Sequence, residues 1–314
     1  MRPIFIGGCD RSGTTMLRLM LIQSPELHMP GETAFLPVMQ DQAEEYGDFS
    51  EPHQRWFFVR DLQKFQATTR NSAFEVFEIS PQEAEAEIAS NAPTDYPGAA
   101  AAVYSAMARK KGKTRWGDKT PTNVMHMEYL SRAYPYAKFV HIIRDPRDVT
   151  ASIRKAGWMH NYRTAAATWK LRVETGQRVG AQLGNNVYRE IRYEALVEKP
   201  EEELRALCEW LDLEYSPAMI DFHKNSMKSM PKQYESLFEK AKRPADASRV
   251  YAWKRGMPRK NIADVESVAG SLMVELGYPL THARIALWTR AARFVFDRAR
   301  SLAMWGAKRA RQSG

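Results

Sequence analysis

Apolar positions fall along this chain in two rhythms. Ile4-Phe5-Ile6 is a short unbroken apolar run that ends at Gly7-Gly8, and Phe139-Val140-His141-Ile142-Ile143 is a second that ends at Arg144. Runs of this length, bounded by glycine or charge, read as strands buried on both faces. Residues 187–192 repeat the pattern, and residues 115–117 repeat it weakly. Elsewhere apolar residues recur at helical spacing, which predicts helices over 14–23, 124–133, 149–154, 163–183 and 200–211. Strands that alternate with helices predict an α/β fold in three layers, a central parallel sheet flanked by helices. With 314 residues, 44% of them hydrophobic, the chain can bury a full core. Residues 1–280 read as one domain, with 38–110 a helical insertion, and 281–314 as an appended helix.

The first strand leads into chemistry. Gly8 and Gly13 bracket a loop that closes with Gly13-Thr14-Thr15 and opens the first helix. Such a loop aims backbone amides and a helix N-terminus at an anion, so the architecture is P-loop-like. A nucleotide triphosphatase needs Gly-Lys-Ser/Thr here, with the lysine on the β- and γ-phosphates. Thr14 stands in the lysine's place, and the cation of the loop is Arg11. The strand ending at Ile143 departs in the same way. It meets Arg144, an anion ligand, where a kinase or triphosphatase would place a magnesium-binding aspartate. Arg144 at the strand's end and Ser152 two helical turns on can converge on one phosphate. The bland alternative pairs Arg144 with Asp145 or Asp148.

These segments resemble sulfotransferases that use 3′-phosphoadenosine 5′-phosphosulfate (PAPS), and look most like bacterial members related to tyrosylprotein sulfotransferase. The resemblance rests on Arg11-Ser12-Gly13-Thr14-Thr15 as a 5′-phosphosulfate loop and on Arg144 with Ser152 as a 3′-phosphate signature. Three further segments are similar: Asp118-Lys119-Thr120-Pro121, where the lysine would touch the sulfuryl group; Arg192-Tyr193-Glu194, where the tyrosine would lie near the nucleotide; and Ser248 to Lys254-Arg255, which would close over it. The matches run from Pro3 to about Tyr278 and lapse between Val38 and Arg109. The family's general base falls on Glu32, although Gly31 stands where relatives carry a first glutamate. His28, His126, His141 and His160 lie in no matching context. The resemblance implies transfer of a sulfuryl group to a hydroxyl of a peptide tyrosine, carbohydrate or lipid. Glu32, Arg11 and Lys119 would be catalytic, and residues 38–110 would form the acceptor side. It implies no metal. The rival readings are a P-loop kinase or triphosphatase and a non-catalytic membrane-surface protein.

Cys9 and Cys208 lack metal spacing, and a reduced cytoplasmic chain is the simplest expectation. The N-terminus enters a strand at once, with no room for a signal peptide. Charge is lopsided: from Thr281 onward eight basic residues face Asp297 alone, which accounts for +7 of the net +9. Leu287, Trp288, Ala291, Phe294, Val295, Leu302 and Trp305 recur at helical spacing in the same segment. A basic amphipathic helix fits an anionic membrane surface, such as the inner face of the cell membrane, and equally fits its own domain or a second subunit of a homodimer. No nucleic-acid recognition motif accompanies the charge. Removing the segment should lower co-sedimentation with anionic vesicles while the remainder stays folded. Each basic residue contributes on the order of 1 kcal/mol at such a surface, and salt weakens it. Equal sedimentation of full-length and truncated chains would rule out the membrane role.

Overall fold

The computed structural model describes residues 2–66, 73–225 and 244–281. Its sheet has five strands, β1 (Ile4–Gly8), β2 (Leu27–His28), β3 (Arg115–Lys119), β4 (Lys138–Ile143) and β5 (Tyr188–Arg192). They are ordered β2-β3-β1-β4-β5, and every pairing is parallel. The central register aligns Ile6 with Lys119 on one side and with Val140 on the other.

Successive strand residues face opposite sides of a sheet, and the core divides accordingly. Ile4, Ile6, Val140, Ile142 and Ile191 pack against Leu17 to Leu21 of the Thr14–Leu21 helix and against the Pro200–Leu211 helix. Phe5, Phe139 and Trp116 face the other way, onto the Tyr96–Lys110 helix and the Met127–Ala133 helix. A third cluster joins the Pro146–Lys155, Tyr162–Leu183 and Arg259–Glu275 helices through Ile153, Trp169 and Leu272.

Residues 38–110 are largely helical where described, with longer helices at Pro52–Lys64, Pro81–Asn91 and Tyr96–Lys110. The last of these packs directly on one face of the sheet: Tyr104 stacks on Trp116 of β3 at 4.7 Å between ring centroids. The predicted C-terminal helix lies, beyond Thr281, outside the described residues.

Several elements differ from the sequence expectation. β3 extends two residues past the predicted end, because the polar Asp118 and Lys119 are both buried with partners. The helix expected from Val149 starts at Pro146, with Asp145 as its N-cap accepting from the Arg147 amide. Proline in the first turn after an aspartate cap is a standard helix start. β2 is two residues long and shows no readable periodicity.

Buried histidines should make the fold pH-sensitive, and His141 shows how. His141 lies inside β4, its Nδ1 2.7 Å from Tyr188 Oη, and Gly176 must lack a side chain because a Cβ there would stand 2.5 Å from the imidazole. Burial, and then the nearby Arg192 charge, pushes this imidazole down to about 3. The unfolded chain binds that proton near pH ~6.5. Between these values the unfolded state holds more protons, so stability falls as pH drops, by about 1.4 kcal/mol per pH unit for one histidine. In denaturant titrations across pH 4 to 6 (about the middle of that window), His141→Gln should show a shallower loss than wild type by that amount. Parallel curves would contradict it.

Candidate active site

The loop between β1 and the first helix is shaped by its backbone. Arg11 and Gly13 adopt positive φ, 69° and 102°. Only glycine takes the second without strain, and a Cβ at Gly13 would also stand 2.6 Å from the Tyr193 ring. The Ser12 amide turns back to the Cys9 carbonyl at 3.1 Å. Asp10 is tied to Arg172 of the Tyr162–Leu183 helix, which anchors the loop from outside. Burial, with Arg172 opposing it, pushes the Cys9 thiol up to about 12, so it stays protonated.

Arg144, just past β4, reaches across to this loop. It donates to the Arg11 carbonyl at 3.3 Å and to the Arg249 carbonyl at 2.8 Å, and its guanidinium lies 4.1 Å from the Tyr193 ring centroid. Asp148 Oδ2 forms a longer ion pair with Arg144 Nη2 at 3.6 Å, one of the two pairings the bland alternative names, and its carboxyl is pushed up by burial against the pull of Arg144. Arg11 donates from Nε to Ser152 Oγ at 3.0 Å and lies over the Trp158 ring at 5.3 Å. Burial holds the Arg11 guanidinium below its ordinary pKa, and the adjacent positive charge of Arg144 adds to this. Among the described residues no carboxylate pairs with Arg11.

A cavity of about 520 Å³ opens here, within the range of small-molecule sites. Arg11, Gly13, Thr14, Thr15, Arg144, Ser152 and Tyr193 line it, so seven residues singled out from sequence meet at one place. Ser12 is buried beside them. Ser248 and Lys254 do not line the cavity: both are exposed, and Lys254 Nζ lies over the Tyr251 ring at 4.7 Å. Arg249, Trp253 and Gly256 line it in their segment, and Lys155 contributes a further cation. The sequence reading includes Trp253 in the closing segment but does not single out Arg249 or Gly256, because the register of that segment is not periodic; it also passes over Lys155, at the end of the Pro146–Lys155 helix.

What sets the register is a buried clamp. Arg147, fully buried, grips Asp145 with two bonds of 2.7 and 3.0 Å, reaches Glu266 at 2.9 Å and lies 3.7 Å from the Trp253 ring centroid. Trp253 donates its amide to Asp148 at 2.8 Å and its indole to Asp145 at 3.1 Å. The segment carrying Arg249 is thereby pinned to the strand end carrying Arg144.

Lys119 and Glu32 form a second constellation. Lys119 ends β3, next to the strand that feeds the phosphate loop. Its Nζ meets Glu32 Oε2 at 2.9 Å, with side-chain exposures of 3% and 21%. A sheltered pair of this kind is both a proton acceptor and a cation at one point. Among the described residues no histidine lines the cavity; His141 lies in the core, and burial pushes His28 down to about 3. Among the described residues no cluster of three or more His, Cys, Asp or Glu side chains is arranged to hold a metal.

Residues 3–217 match the family model described as the Sulfotransferase family. The chain belongs to the sulfotransferase family. Protein-tyrosine sulfotransferase A of Caenorhabditis elegans is 25% identical over 283 residues, covering 88% of this chain and 67% of the relative. The nodulation protein NoeE of Sinorhizobium fredii is 25% identical over 340 residues, covering 99% and 75%. Among solved structures, the sulfotransferase domain from the curacin biosynthetic pathway superposes with a TM-score of 0.60 at 23% identity, over 89% of this chain and 98% of that one. Its likeness identifies the fold: a parallel sheet flanked by helices, P-loop-like. Membership of this family supports sulfuryl transfer over the kinase and scaffold readings.

Proposed function

We propose that the cavity binds PAPS and that the sulfuryl group passes to a hydroxyl of an acceptor brought against Glu32. The observation that supports this best is the bonding of Arg144. Two backbone carbonyls hold it in place, Asp148 stands at 3.6 Å, and its Nε is buried without a partner. Ser12 Oγ is likewise buried and unpartnered beside the loop amides. Unpartnered buried donors are costly, and each points to an anion as its proper partner. The loop, with Thr14 and Thr15, would hold the 5′-phosphosulfate. Arg144 and Ser152 would hold the 3′-phosphate, with Arg249 and Lys155 close by. Tyr193, under the Arg144 guanidinium, would flank the nucleotide.

The acceptor oxygen forms its bond to sulfur as the bond from sulfur to the 5′-phosphate oxygen breaks. Glu32 takes the hydroxyl proton. Protonation discharges the Glu32–Lys119 pair and frees the ammonium for the negative charge on the sulfuryl and leaving oxygens. Arg11 meets the same charge from the loop. Fixed cations placed where charge develops contribute about 10²–10³-fold each, so the reaction asks for no metal. The product would be a sulfate ester together with 3′-phosphoadenosine 5′-phosphate. A peptide tyrosine is the acceptor suggested by the names of the relatives, with carbohydrate and lipid hydroxyls as the other classes. No helix among the described residues is long and apolar enough to cross a membrane. Cytoplasmic residence, with the segment from 281 at an anionic membrane, agrees with the charge distribution.

Glu32→Gln preserves shape and removes the basic oxygen. It should leave calorimetric binding of 3′-phosphoadenosine 5′-phosphate unchanged and lower sulfuryl transfer from labelled donor by about 10²–10⁴-fold. Near-normal transfer to an unactivated alcohol would show that another group is the base.

A further inference from the structure

Glu32 is followed by Thr33, and Lys119 is preceded by Asp118, so the two chain segments that carry the ion pair also carry a second pair. Asp118 is 1% exposed and Thr33 is fully buried. Thr33 Oγ1 donates to Asp118 Oδ2 at 3.0 Å, and Asn123 Nδ2 donates to Oδ1 at 2.7 Å. One residue further on, the Ala34 amide donates to Thr120 Oγ1 at 3.3 Å. The segments 32–34 and 118–120 are thus joined at three successive positions, and the ion pair is the outermost.

The central join has a third member from far away in the chain. Tyr104, on the Tyr96–Lys110 helix, donates to Asp118 Oδ2 at 2.8 Å and stands 2.7 Å from Thr33 Oγ1. Burial, and then the Asp118 charge, holds the Tyr104 phenol far above its ordinary pKa, so it remains a donor. Its ring is fixed independently, stacked 4.7 Å from Trp116 and 5.5 Å from Phe35. The hydroxyl therefore sits at a position set by aromatic packing, and Asp118 and Thr33 are drawn to it.

We infer that Tyr104, Asp118 and Thr33 form a positioning clamp that sets the distance between Glu32 and Lys119, and so between proton acceptor and sulfuryl-stabilising cation. None of the three touches the proposed donor cavity, so their effect is confined to the chemical step. The inference rests on the reading of Glu32 as base. It also gives the 38–110 insertion a second duty: one of its helices determines the geometry of the catalytic pair.

Tyr104→Phe keeps the stacked ring and deletes only the hydroxyl. Thr33→Val keeps the shape of threonine and deletes its hydroxyl, while Thr33→Ser keeps the hydroxyl. With PAPS and a phenolic acceptor, Tyr104→Phe and Thr33→Val should lower kcat about 10- to 100-fold, the scale of a misplaced reacting group. Binding of 3′-phosphoadenosine 5′-phosphate and the KM for PAPS should stay at wild-type values, and Thr33→Ser should stay within about threefold of wild-type kcat, far less than a misplacement costs. In a Glu32→Gln background, Tyr104→Phe should cause little further loss, because the group it positions is gone. Unchanged kcat in Tyr104→Phe and Thr33→Val would overturn the clamp, as would an equal loss with and without Glu32. An inactive Glu32→Gln beside a normal Tyr104→Phe would remove the clamp alone. A normal Glu32→Gln would remove the base reading and the clamp built on it.

Discussion

Because β3, β1 and β4 run parallel and in register, the segments leaving their C-terminal ends emerge at one edge of the sheet. Ligands in open α/β sheets bind at that edge. Three strands deliver three kinds of group there: β3 ends in Lys119, β1 continues into the glycine loop with Arg11, and β4 continues into Arg144. A one-residue slip of β3 against β1 would turn Lys119 to the other face and leave Asp118 in its place. The side-chain network around Asp118 opposes that slip, and so does the packing of Trp116, stacked on Tyr104 and edge-to-face with Phe5. The meeting of Lys119 with Glu32 is in this sense a consequence of strand register.

Electrostatics then separates arginines that look alike. Arg147 is enclosed by Asp145 and Glu266 and covered by Trp253, so its charge is spent inside the protein. Such buried pairs are strongly destabilising to break and hold structure together. Arg144, three residues earlier, is bonded to carbonyl oxygens and paired with Asp148 only at 3.6 Å, and its Nε is buried without a partner. Arg11 is held by a serine hydroxyl and an indole ring. One arginine thus pins the closing segment, while Arg11 and Arg144, with Arg249 and Lys155 nearby, line the cavity proposed to hold the donor. Burial first, and the neighbouring Arg144 charge second, hold the Arg11 guanidinium below its ordinary pKa, and an anion in the cavity would offset the mutual repulsion of the clustered cations.

Much of this was legible from sequence, for identifiable reasons. β1 and β4 are buried on both faces and therefore read as unbroken apolar runs, and their ends located Arg11 and Arg144. Glu32 and Lys119 were found through short motifs, although only the structure shows them in contact. The weak reading of β3 has a physical cause: its last two residues are charged yet buried, and their partners Thr33, Tyr104 and Glu32 lie far off in sequence. The Tyr96–Lys110 helix escaped because it sits in the stretch that matches the family poorly, even though Asp95 with Pro97 marks its start. Ser248 and Lys254 were singled out where Arg249 and Gly256 line the cavity. That segment takes its register from Trp253 gripping Asp145 and Asp148, a tertiary contact that no local pattern encodes.

The central claim is that Arg144 and its neighbours are built for the 3′-phosphate of the donor. Calorimetry comparing 3′-phosphoadenosine 5′-phosphate with ADP, on wild type and on Arg144→Ala, tests it most directly. A charge-assisted bond to this phosphate corresponds to roughly 10- to 100-fold in affinity. The bisphosphate should therefore bind wild type at least about tenfold more tightly than ADP, and Arg144→Ala should erase most of the difference. Equal affinities for the two nucleotides on wild type, or a preference that survives the substitution intact, would contradict the assignment.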